Sequence, residues 1–303
     1  MKTKVMAAAL ALALPYSLAA AAPPAPTADQ KAQEAAYRNA MTKLESSLTK
    51  HSGNISLEQA KAILTLGDHY YFVPTKDAGV VLEKMWGNPP SASDGVLGIV
   101  FEKGVNAYDA VWGAVVTFEP SGYVSDADAQ SQDYDAVLTE MRKGEDERNA
   151  ERRKAGFAGM KLIGWAQAPT YDAKQHSLIW ARELQFDGNK VNTLNYDVRL
   201  LGREGVLSLN MVSDMSHLGA VRAAARSFGS NASFVSGATY ADYDASTDKA
   251  AGYGLAGLVA GGAGLAVAKK LGLLGIILAF GKKFIVLIGL EAVSKGVERL
   301  RFL

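Results

Sequence analysis

Residues 252–268 read GYGLAGLVAGGAGLAVA, and the first six of them spell G-x-G-x-x-G. The same letters describe a dinucleotide-binding turn or a small-residue helix, and the two lead to different folds. A nucleotide fingerprint follows a strand, opens a helix and is followed ~20 residues later by an acid for the ribose. Here the preceding residues 243–251 (YDASTDKAA) are polar, and no acid occurs until Glu291. The dinucleotide reading fails. Set on a helix at about 100° per residue, Gly254, Gly257, Gly261, Gly264 and Ala268 share one stripe, while Leu255, Leu258, Val259 and Leu265 lie elsewhere. Gly257 and Gly261 form a G-x-x-x-G pair, which lets helices approach closely inside a bilayer. At about 1.5 Å per residue the segment is about 26 Å long, enough to cross. The stretch therefore predicts a transmembrane helix whose small-residue face packs on a second copy or another membrane protein.

Working outward, Lys269 and Lys270 precede a second apolar run, residues 271–290, which Lys282 and Lys283 split. On insertion scales two central lysines cost ~5–7 kcal/mol, and the Leu, Ile, Val and Phe of the run return ~4–8 kcal/mol. The run therefore spans, re-enters or lies in the interface, and composition leaves the three open. Lys295, Arg299 and Arg301 place the extreme C-terminus on the cytoplasmic side by the positive-inside rule.

At the other end, Lys2 and Lys4 precede an apolar run over residues 5–14 and an alanine-rich stretch with A-x-A spacing at Ala19 and Ala21. That is the layout of a secretory signal peptide, taken as residues 1–22. The chain contains no cysteine, which excludes disulfides, thiolate metal sites and lipoprotein anchoring. Residues 23–251 carry 23 Lys/Arg against 29 Asp/Glu, whereas residues 252–303 carry 7 against 2. An acidic middle repels polyphosphate, so nucleic acid is not expected as a partner. The lipid bilayer is.

Between these ends the pattern is mixed. Residues 23–53 form a linker and an amphipathic helix over 29–50, with Tyr37, Met41, Leu44 and Leu48 at helical spacing. Residues 54–250 hold strand-like runs at 69–73, 96–101, 111–118, 161–166, 177–185, 191–200, 206–212 and 234–240. Helices are expected at 77–86, 126–154 and 217–227. The half of the second one at 140–154 carries eleven charges of mixed sign, which reads as a solvated face. Strands joined by short turns, with helices between groups of them, predict an α+β fold with a mainly antiparallel sheet. The expected organisation is an exported α+β domain, residues 54–250, followed by a membrane anchor, residues 251–303.

The pieces WGNPP (86–90), GYVSDADA (122–129), NAERRKAG (149–156), GWAQAPTYD (164–172), WA (180–181), RLLGREGVL (199–207), GATYADY (237–243) and TDKAAGYG (247–254) carry a resemblance. From about Ser56 onward the chain resembles a bacterial family, domain of unknown function 2167, described as uncharacterised membrane-anchored proteins. The resemblance implies a signal-led, membrane-anchored protein and supplies no catalytic residues.

Motifs with chemical meaning are few. Ser47 and Lys50 fit S-x-x-K, but the S-D-N and K-T-G partners of that chemistry are missing. Asp126, Asp128, Asp133 and Asp135 lack the glycine and glutamate of a calcium loop, and read as helix-capping acids, with Ser125 or Asp126 as the cap. His51, His69, His176 and His217 show no ligand spacing. Asp68, His69, Tyr70 and Tyr71 make the best ligand rim, a titratable pair beside two aromatics. Trp112, Trp165 and Trp180 are expected to fill a core. No catalytic residue, metal or cofactor is assigned. The sequence reads as a periplasmic domain held by a single span at the bacterial cytoplasmic membrane, binding a protein or ligand without catalysis. The alternative is an envelope hydrolase or small-molecule binding protein with a dispersed site.

Overall fold

The structure is a computed structural model, and it describes residues 27–88 and 90–261. The expected signal peptide, Gly264, Ala268, the run 271–290 and the basic C-terminus lie outside the described residues.

The chain opens with α1 (Ala28–Ser46), started by a reciprocal capping box between Thr27 and Gln30. Strands β1 (Asn54–Leu57), β2 (Ala62–Thr65) and β3 (Tyr70–Pro74) follow, then α2 (Thr75–Gly79), which widens into a π-helical segment, Val80–Met85. Next come β4 (Val96–Glu102), β5 (Gly113–Glu119) and the short β6 (Tyr123–Ser125). Helices α3 (Tyr134–Arg142) and α4 (Glu145–Lys154) lead to β7 (Met160–Asp172), β8 (Ser177–Phe186), β9 (Thr193–Leu201) and β10 (Val206–Asp214). The described chain ends with α5 (Leu218–Asn231), β11 (Ala232–Phe234), β12 (Ala250–Gly254) and α6 (Leu255–Ala260).

Seven strands form one sheet in the order β3-β4-β5-β10-β9-β8-β7, antiparallel at every step. The α+β class with a mainly antiparallel sheet is thus what the alternation foretold. Because side chains alternate across a strand, register divides the sheet into two faces. Leu194, Tyr196, Val198 and Leu200 of β9 face one side with Leu207, Leu209 and Met211 of β10. Val221 and Ala225 of α5 and the small sheet β1-β2-β11 cover that side. On the other side, Tyr71, Val73, Ile99, Phe101 and Val115 pack beneath Trp86, Leu82 and Met41. Further along the same face, Leu178, Trp180, Leu201 and Val206 pack against Val124, Tyr240 and α6. Trp112 and Trp180 are buried, and half-buried Trp165 donates from Nε1 to the Tyr134 carbonyl at 3.2 Å.

Between these apolar clusters lies a buried polar network. Arg182 donates to Asp197 at 2.7 Å and to Asn195 at 2.5 Å, Arg199 donates to Asp197 at 2.9 Å, and Asn210 donates to Asp197 at 3.0 Å. Burial alone would raise the Asp197 carboxyl. Arg182 and Arg199 beside it, with the hydrogen bonds, outweigh that and hold it below the ordinary value.

Three expectations are corrected. The single helix over 126–154 is broken into two, because Gly144 takes the left-handed conformation (φ 69°) and α4 restarts from it. Nor is its charged half simply solvated. Arg142 donates to the carbonyls of Leu162 and Ile163, Glu145 accepts from the Leu162 amide, and Asn149 both donates to and accepts from the backbone of Met160. The strand expected at 234–240 stops at Phe234; Gly237 turns the chain (φ 85°), and Tyr240 starts a 3-10 turn.

The third concerns the opening stretch. Residues 250–254 form β12, parallel to β6, and α6 lasts only six residues before Gly261 (φ 130°) ends it. The Asp128 carboxylate accepts from the amides of Leu255 and Ala256, which starts the helix there rather than at Gly252. Leu255, Leu258 and Val259 are buried in protein. Among the described residues no helix is long and apolar enough to cross a membrane.

Candidate functional site

Five of the resembling pieces, 122–129, 164–172, 199–207, 237–243 and 247–254, meet at one corner of the sheet. The Gly122 amide donates to the Glu204 carbonyl at 3.0 Å, and the Tyr123 amide to the Lys249 carbonyl at 2.9 Å. A Cβ on Gly122 (φ 92°) would stand 2.4 Å from the Lys249 oxygen, so only glycine fits this crossing. Arg203 clamps Asp248 through two contacts, at 2.7 and 2.9 Å, and the Asp248 carboxyl is held down to about 2 by those bonds and the Asp244 amide.

Four rings stack across the corner. His176 lies on Tyr240 (centroids 4.2 Å apart), Tyr240 on Tyr123 (4.5 Å) and Tyr123 on Tyr243 (3.8 Å). Such pairs contribute ~0.5–1.5 kcal/mol each beyond area burial. His176 reaches its place through a left-handed backbone (φ 47°), an unusual conformation for a residue with a side chain.

Asp126 is the hub of the polar contacts. Tyr171 Oη is 2.7 Å from Asp126 Oδ2 and 3.1 Å from His176 Nδ1. The Asp126 amide donates to Tyr240 Oη at 3.0 Å, and that hydroxyl donates on to the Val124 carbonyl at 3.1 Å. Burial first, and then the Asp126 charge and bond, push the Tyr171 phenol up; burial, Tyr123 and Asp126 do the same for Tyr240. Both therefore remain protonated donors. The single Tyr171 proton goes to the carboxylate, the shorter and charge-assisted contact. His176 Nδ1 then faces Tyr171 Oη as a donor, and the His176 side chain is one-third exposed.

The residues singled out in the sequence are distributed differently. Tyr70 and Tyr71 are consecutive on β3 and point to opposite faces. Tyr71 is buried with its hydroxyl on the Val105 carbonyl, whereas Tyr70 packs beside Trp112. Asp68 is exposed and pairs with Lys103 at 3.5 Å. Of the expected rim only His69 and Tyr70 meet, edge to face with centroids 6.5 Å apart. Ser47 donates to the Leu44 carbonyl and Lys50 pairs with Glu45, ordinary contacts at a helix end. Of the four aspartates only Asp133 caps α3; Asp128 caps α6 instead, and Asp126 belongs to the corner.

The three described glycines of the expected membrane stripe have roles inside the domain. A Cβ on Gly254 would meet Asp128 Oδ2 at 2.5 Å, one on Gly257 would meet Tyr253 Cβ at 2.7 Å, and Gly261 takes a conformation that favours glycine. His176 escaped the sequence reading because its partner Asp126 is fifty positions away and no spacing rule joins them.

The fold and this corner define an α+β domain that seats the start of its glycine-rich C-terminal segment against its own sheet. The chain belongs to the family described as protein of unknown function (DUF2167), whose model matches residues 49–293. No curated protein matches it. Among solved structures, cyanobacterial PsbP (CyanoP) from Synechocystis sp. PCC 6803 is similar over 62% of this chain and 93% of its own, at 12% identity and a TM-score of 0.34.

Proposed function

We propose that this chain is an exported binding domain, non-enzymatic, tethered to the bacterial cytoplasmic membrane by residues 262–303. The supporting observation is the seat of the segment that leads into them. Leu255, Leu258 and Val259 are buried, Asp128 caps α6, and Tyr253 Oη donates to Glu119 at 2.8 Å. A tether that leaves from a seated helix fixes the domain close to the bilayer, whereas one that leaves from a loose tail does not. The corner is then the membrane-proximal end, and the bilayer, a membrane protein or a second copy is its neighbour. The second apolar run, residues 271–290, supplies the membrane contact, and residues 1–22 the export signal.

Cutting the chain after Gly261 tests this better than replacing glycines, because leucine at position 257 would collide with Tyr253 inside the domain. The full chain is expected in the carbonate-resistant membrane fraction, and the chain ending at Gly261 in the soluble periplasmic fraction. If carbonate extracts the full chain, the tether reading is wrong.

The hydrolase reading has one observation in its favour, the Asp126–Tyr171–His176 chain of contacts that ends in a partly exposed imidazole. Under that reading the protein hydrolyses p-nitrophenyl acetate faster than free imidazole does, and His176→Gln removes the excess.

A further inference from the structure

The face of the sheet opposite the Asp197 network opens, beside α5, into a cleft of about 430 Å³ lined by residues of β7, β8, β9 and α5. Sites for small organic ligands start at ~300 Å³. Arg222 and Arg226 stand one helical turn apart on α5, so both guanidinium groups reach the same opening. Arg222 Nε donates to Gln167 Oε1 at 3.0 Å, and its guanidinium lies beside the Tyr196 phenol with no carboxylate paired to it among the described residues. Arg226 is exposed and makes no hydrogen bond or ion pair among the described residues. The acid in the wall, Asp172, is committed elsewhere, with Oδ1 accepting from the amides of Lys174 and Gln175.

We propose that this cleft binds a small organic anion, a carboxylate or phosphate group carried on a compact apolar body, through the paired guanidinium groups of Arg222 and Arg226. Two planar forks side by side match the paired oxygens of such a head group. Gln167 fixes the arrangement. Tyr196 Oη and Arg222 Nε both donate to its Oε1, each at 3.0 Å, which identifies that atom as the oxygen and leaves the amide NH2 as a further donor. Ile179 supplies the apolar wall for the body of the ligand, over a floor that includes the buried Tyr196. Two like charges one turn apart repel and disfavour the helix that carries them. An anion between them removes that repulsion, so binding and helix stability act in the same direction. This chemistry does not depend on where the chain resides, and failure of the tether reading leaves it intact.

The test is calorimetric titration of the purified full chain with phenyl phosphate, benzoate and inorganic phosphate, at an ionic strength held constant with sodium chloride. Saturable binding of phenyl phosphate or benzoate is expected, tighter than that of inorganic phosphate, and the organic anion that binds names the head group. Arg226→Gln should weaken binding at least about tenfold, and Lys154→Gln, an exposed change on α4, should leave it within about twofold. Arg226 is exposed and makes no hydrogen bond or ion pair among the described residues, so its variant keeps the fold, which the unfolding curve verifies. The double variant Arg222→Gln/Arg226→Gln should bind neither organic anion. No saturable heat up to about 20 mM of either compound, or an affinity unchanged in Arg226→Gln, overturns the proposal.

Discussion

On one face of β9, Arg182 and Arg199 close on the Asp197 carboxylate at 2.7 and 2.9 Å; on the other, Arg222 and Arg226 reach a cleft with no carboxylate paired to them among the described residues. The two pairs are separated by the thickness of one sheet, since Tyr196 and Asp197 are adjacent in the chain. The difference follows from solvation. A guanidinium withdrawn from water must have its counter-charge built in, and Arg182 is buried with Asp197 fully so. Arg226 keeps its water and therefore needs no internal partner. The first pair is consumed by the fold. The second remains open to whatever anion enters.

The largest expected effect is at the hub of the closed pair. Asp197→Asn should cost about 3–5 kcal/mol in urea unfolding at neutral pH, because it leaves two arginines facing an amide in the interior. Less than about 1 kcal/mol would break the comparison. The pH dependence has a definite sign. The Asp197 carboxyl is lowered on folding, so its contribution is fully present above the unfolded value of about 3.9 and is lost as pH falls through the lower folded value. The wild type should therefore lose stability in acid more steeply than the variant.

The corner stands between the two cases, since its charge is half-buried and its partners are neutral. Tyr171→Phe removes the donor between Asp126 and His176, and should cost about 1–2 kcal/mol in the same assay. The Tyr171 phenol is raised on folding. Its contribution is present below the unfolded value of about 10 and is lost as pH rises through the folded one, so the alkaline loss of stability should be shallower in the variant. An identical alkaline profile would show that folding does not raise the Tyr171 phenol. The smallest effect is at the open pair, where Arg226→Gln should change stability by no more than about 0.5 kcal/mol while weakening anion binding at least about tenfold. A loss of several kcal/mol there would show that Arg226, too, is consumed by the fold.

The strands were legible because both sheet faces are apolar through most of their length, and runs such as 177–185 and 206–212 show it in a single chain. Helix breaks were not. Gly144 looks like one more residue in a charged helix until its left-handed backbone is seen. The glycine-rich stretch misled for a related reason. Small residues at helical spacing suit bilayer packing, yet Gly254, Gly257 and Gly261 are here fitted to Asp128, to Tyr253 and to a chain reversal. The corner could not be assembled from the sequence, since Asp126, the Tyr171–His176 turn and Tyr240 come from three separate places in the chain and share no spacing rule. Arg222 and Arg226 stand four positions apart on the expected helix, but nothing in the sequence singled them out, because their openness depends on which carboxylates the rest of the sheet brings near.

The clamp on β7 has a consequence for growth. A sheet extends at its rim as a crystal extends at a step, by adding units to unfilled bonding positions. At Met160 and Leu162 those positions are filled by Asn149, Glu145 and Arg142, and Asn149 presents to Met160 the same donor and acceptor that another strand would. The helical pair α3–α4 acts there as a step poison. An eighth strand, whether from a second copy or from a misfolded neighbour, finds no lattice site at that end of β7.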